Sequence, residues 1–182
     1  MPEKINETSK MERIFSKKNV IILAVLWLAT NLIFHFGPWS TSALAEISGG
    51  KGIPDLMSYD LHKLQNLFAA YGPQGIDIYK NIQLIDFVYP LIYGALLLGI
   101  LVRLKLPNSF TVLYASPFII VFFDYSENLI IRHLINLYPN LTEDQSHLAN
   151  LANICTTLKW ANIGSLLISI LGLWIWSRFR RQ

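Results

Sequence analysis

Cysteine is nearly absent. The single Cys155 has no partner for an intrachain disulfide, a redox pair or a thiolate metal site. Charge is scarce as well: Asp, Glu, Lys and Arg make up 15% of the 182 residues while 53% are hydrophobic, and soluble domains carry about 25% charge. This balance excludes an ordinary soluble domain, and a net charge of +3 leaves no basic face for nucleic acid. No HExxH, GxSxG or phosphate-cradling glycine loop names a reaction, and no cofactor is called for. Without a repeat, heptad seam or low-complexity tract, solenoids and coiled coils are excluded too.

The hydrophobic residues are bunched. Residues 19–36, 84–104, 109–131 and 151–176 each approach the length of about 20 residues that carries a helix across a hydrocarbon core. They predict an all-α integral membrane protein, a four-transmembrane-helix bundle occupying 19–177 and located in a bacterial plasma membrane. Lys and Arg near span ends stay cytoplasmic. Ten of the fifteen basic residues fall before the first span, between the second and third, or after the fourth; Lys51, Lys63, Lys80 and Arg132 fall in the opposite loops. Both termini are therefore expected to be cytoplasmic, with residues 1–18 as a polar arm and 178–182 as a basic tail. A competing signature is "SALAE", which follows the first apolar run like a signal-cleavage site after Ala45. That run is longer than a usual signal core and favours an uncleaved span.

Residues 37–83 form the extracytoplasmic loop. Within it, "SGGKGIPD" reads as a turn-rich linker, and "SYDLHKLQNLFAAYG" sets Leu61, Leu64, Leu67, Phe68 and Tyr71 on one helical face, stopped by Gly72 and Pro73. Such an extracytoplasmic amphipathic helix lies at the interface by default, with closure over the bundle mouth as the alternative. Pro107 ends the second span, and Asn108 or Ser109 is expected to cap the third. Beyond the third span, Thr142 and Gln145 fit a capping box that starts a long last helix.

The stretch "FFDYSENLIIRHLI" carries the chemistry. Asp124, Glu127 and Asn128 share one face of a helix that would cross the bilayer, and Arg132 continues an i, i+4 ladder from Asp124 and Asn128. The loop-charge orientation sets Lys159 and Asn162, Asp86 with Tyr89 and Tyr93, and Asn31 with His35 at comparable depth in the outer leaflet. Intramembrane charges cost several kcal/mol or more, and such residues face the bundle interior, pair, or line a ligand path. The expected ligand-binding set is Asp86, Tyr93, Asp124, Glu127, Asn128, Lys159 and Asn162, and the catalytic candidates are Asp124, Glu127 and Lys159. Three carboxyls against one Lys leave an acid surplus unless Arg132 folds in or Asp124 and Glu127 share a proton. A metal site from Asp86, Asp124, Glu127 and His35 is disfavoured, because Lys159 would repel the ion.

Three functions compete. The first is binding of a small or amphipathic, lipid-like ligand, with Lys159 matching an anionic group and the carboxyls exchanging a proton. The second is a membrane-embedded acid/base enzyme acting on a lipid-like substrate. The third is a structural or accessory subunit in which Asp124 and Lys159 clamp two helices. Four spans without inverted repeats fit an ordinary monomeric transporter poorly and suit homo-oligomerisation.

Overall fold

The computed structural model describes residues 10–56, 58–106 and 108–179. The arm up to residue 9 and the end of the basic tail at 180–182 lie outside the described residues. Among the described residues the chain is all-helical and has no strand. The helices are α1 (Lys17–His35), α2 (Thr41–Ile47), α3 (Leu61–Asp86), α4 (Tyr89–Leu104), α5 (Ser116–Leu137) and α6 (Ser146–Phe179), with 3-10 turns at Pro54–Leu56, Asn108–Ala115 and Glu143–Gln145.

Local chemistry sets the helix starts. Side-chain oxygens of Ser16, Ser40 and Asp60 accept from the backbone N–H three residues on, at 3.3, 3.1 and 2.8 Å, which satisfies donors the first turn leaves open. Pro90 and Pro117 sit at the first positions of α4 and α5, where a missing N–H costs nothing. The Thr142–Gln145 capping box is present, with the Thr142 N–H donating to Gln145 Oε1 at 2.7 Å. Neither Asn108 nor Ser109 caps α5: a 3-10 turn takes up residues 108–115, and the α-helix begins only at Ser116.

Two breaks revise the element boundaries. At Gly72, φ is 59° and ψ is −177°, a region open in practice to glycine alone, so α3 is two helices joined at a kink where the sequence stops its amphipathic segment. The second part ends at Asp86, and a turn at Phe87 and Val88 separates it from α4. The stretch 84–104 is therefore not one continuous helix.

Three helical stretches are long and apolar enough to cross a membrane: Lys17–His35, Leu61–Leu104 and Glu143–Ile175. The helix expected over 109–131 appears as α5, which contains Asp124, Glu127 and Arg132 and is not one of these three.

The amphipathic face of α3 packs inward rather than outward. Leu61, Leu64, Leu67, Phe68 and Tyr71 are all buried, in one cluster with Leu44 of α2, Ile131, Leu134 and Ile135 of α5, and Ala149 and Ala152 of α6. The apolar face of α3 is taken up by α5 and α6, which present a complementary apolar surface there. Elsewhere α5 lies along α6, and α1 lies against α4. At Gly94 an added Cβ would come within 2.6 Å of Val121 Cγ2, so glycine is what allows α4 and α5 to approach.

Candidate functional site

Lys159 is the centre of the polar layer. It projects from α6 with only 3% of its surface exposed. Its ammonium bonds Asp124 Oδ1 at 3.0 Å and Glu127 Oε2 at 2.8 Å, both from α5, and in addition Asp55 Oδ1 from the Pro54–Leu56 turn. Three N–H donors meet three carboxylates.

The remaining carboxylate oxygens on α5 are held as well. Tyr93 of α4 donates to Asp124 Oδ2 at 2.5 Å, and the Asn128 amide lies 3.4 Å from Asp124 Oδ1. Tyr59 donates to Glu127 Oε1 at 3.2 Å and touches Thr156 Oγ1 at 3.0 Å. Burial, reinforced by the nearby Glu127 charge, pushes the Tyr59 phenol well above its ordinary range, so it stays protonated and keeps donating. Asp124 and Glu127 are bridged by the Lys159 ammonium.

The loop ahead of α3 is tied to this layer by its backbone too. The Trp160 indole N–H donates to the Asp55 carbonyl at 3.1 Å, and the Tyr59 N–H donates to Asn153 Oδ1 at 3.1 Å.

A cavity of about 550 Å³ opens against this layer, within the range of about 300–1,000 Å³ usual for small-molecule sites. Asn31, Asp55, Asp86, Asp124 and Lys159 line its polar end. Trp27, Tyr89, Tyr93 and Trp160 form an aromatic collar, and Leu96, Leu97, Ile100, Ile163 and Leu167 form the apolar remainder. From Tyr93 to Ile100 on α4, and from Lys159 to Leu167 on α6, the lining turns from polar to wholly apolar over about 10–12 Å.

Most of the residues singled out in the sequence come together. Asp124, Glu127, Asn128 and Lys159 are buried in mutual contact, Tyr93 joins them, and Asp86 shares the cavity wall within reach of the Asn128 amide. Three others do not join. The Asn162 amide donates to the Leu158 carbonyl of its own helix at 3.0 Å. His35 is exposed and contacts Thr41. Arg132 leaves the acid ladder, donating to the Lys80 carbonyl at 2.9 Å and lying 3.4 Å from Gln83 Oε1, so it does not neutralise the surplus. Asp55, Tyr59 and Thr156 were not anticipated. The "IPD" and "SYD" stretches flank a loop, where no periodicity reports which way a side chain points.

Among the described residues no group of three or more His, Cys, Asp or Glu side chains is arranged to hold a metal ion. The chain matches no family model, no curated protein and no solved structure.

Proposed function

We propose that this is a four-span membrane protein that binds a small, amphipathic, lipid-like ligand in the outer half of its bundle, with proton exchange on the surplus carboxyls. The observation that carries the reading is the cavity, polar at one end and apolar at the other, in a wall that includes buried acidic and basic side chains. Such a gradient suits a molecule with a head and a chain.

In this reading α5 is a span as well, the third in chain order. Its acids face protein, while Phe118, Ile119, Phe122 and Leu129 present an apolar outward side, which avoids showing charge to lipid. The basic residues then place both termini in the cytoplasm and the Asp55 turn outside. In a Cys155→Ala background, Lys51→Cys is expected to react with a membrane-impermeant thiol reagent in intact cells and Lys18→Cys only after lysis. The reverse pattern would sink the topology.

The ligand test uses a decyl chain with a neutral sugar head and a mid-chain diazirine. Saturable photolabelling is expected on α4 between Leu96 and Ile100, and Leu97→Trp, which fills the apolar limb, is expected to lower it about tenfold, the scale of roughly 1.4 kcal/mol. Non-saturable labelling no stronger than at the exposed Leu91 would refute the site.

A purely structural role is the second reading. It is favoured by complete pairing: among the described residues, no buried side-chain N or O atom lacks a hydrogen-bond partner. The two readings divide on occupancy, since a clamp needs no guest.

A further inference from the structure

We infer that the head this cavity accepts is cationic: an ammonium or quaternary amine attached to a hydrocarbon chain. The inference rests on the ligand-binding reading above and supplies the headgroup chemistry, replacing the anionic group that Lys159 alone would suggest.

The first reason is the disposition of donors. An anion needs N–H or O–H groups pointing at it, and those in the wall are already committed. Lys159 gives its three hydrogens to Asp55, Asp124 and Glu127. The Trp27 indole donates to Tyr89 Oη at 3.0 Å, the Tyr89 hydroxyl donates to Asn31 Oδ1 at 3.3 Å, and Tyr93 and Trp160 donate to Asp124 and the Asp55 carbonyl. Asn31 gives one amide hydrogen to the Trp27 carbonyl. Among the described residues of the wall, its second amide hydrogen is the N–H left for a guest.

The second reason is what remains. Asp55 and Asp86 stand in the wall with carboxyl oxygens outside these bonds, and the layer holds four carboxyls against one ammonium because Arg132 is turned toward Lys80 and Gln83. The third is the collar. The Lys159 ammonium already lies over the Trp160 ring, 5.8 Å from its centroid, and Tyr89 and Tyr93 pack edge-to-face on each other, while the Trp27 ring stands in the wall with its indole hydrogen fixed on Tyr89; aromatic faces attract cations, most strongly where water is excluded. Acceptors, π faces and an apolar limb together describe a receptor for an amine-headed chain.

Competition against the neutral diazirine probe tests this, with the full chain in nanodiscs. Decyltrimethylammonium and decylammonium are expected to displace the probe at concentrations at least about tenfold below decyl sulfate. Asp86→Asn is expected to shrink that preference about tenfold and Asp86→Glu to retain it, with thermal denaturation reporting that each variant is folded. Decyl sulfate competing as well as the amines would overturn the cationic assignment while leaving the chain site standing. Equal competition by chainless tetramethylammonium or ethylammonium would overturn the lipid-like half, pointing to a free amine instead. Absence of saturable labelling with the neutral probe would remove the site and this inference together.

Discussion

Lys159→Met is expected to destabilise the protein by about 3–5 kcal/mol, or to prevent its accumulation, because removing one partner leaves buried charge uncompensated. The loss falls on three carboxylates, Asp55, Asp124 and Glu127, of which the last two are almost wholly buried. This changes what a compensating substitution achieves. For an isolated pair, replacing both members by apolar residues restores much of the stability. Here Asp124→Leu with Lys159→Met still leaves Glu127 and Asp55 facing no cation, so the double variant is expected to stay well below wild type in thermal denaturation in detergent. A double variant as stable as wild type would show that Asp124 and Lys159 form a separable clamp and that the other two acids contribute little.

Asp55→Ala is expected to loosen the loop rather than the helices packed around it. Hydrogen bonds to charged groups contribute about 1.5–3 kcal/mol, and the Asp55 side chain, 28% exposed, belongs toward the low end because solvent screens it. Local opening should rise about tenfold, since 1.4 kcal/mol is a factor of ten, and amide exchange between Ser48 and Ser58 should quicken by the same factor. Asp60→Ala, which removes the cap on α3 and costs about 1 kcal/mol, is the control. It should affect the first turn of α3 and leave the Asp55 turn protected. Unchanged exchange in Asp55→Ala would mean that the Tyr59–Asn153 and Trp160–Asp55 backbone contacts hold the loop unaided.

Periodicity made the helices legible, and it explains where legibility ended. The face Leu61, Leu64, Leu67, Phe68 and Tyr71 is buried as spaced, and Asp124, Glu127 and Asn128 share one side of α5 because offsets of three and four residues align on any α-helix. What that face packs against is a property of α5 and α6, so the sequence of α3 could not separate interface from bundle mouth. Hydropathy also read straight through Phe87 and Val88, because a turn made of apolar residues leaves no polar mark. Arg132 illustrates a different limit: register places it above Asn128, but its long flexible stem lets its guanidinium reach Lys80 and Gln83. Asp55 was hidden for the plainest reason. Its turn has no period, and only the sign of the charge imbalance hinted at chemistry near Lys159, while giving no count of how many acids take part.

The order in which the ribosome delivers the polar layer follows from its sequence spacing. Lys159 comes 35 residues after Asp124 and 104 after Asp55. At about 5–20 residues per second, the nascent chain holds the α5 acids for about 2–7 s, and the Asp55 turn for about 5–20 s, before the cation that joins them is synthesised. The α6 helix therefore completes the layer, and a polypeptide arrested before Lys159 carries all four acids of the layer without the ammonium that joins three of them.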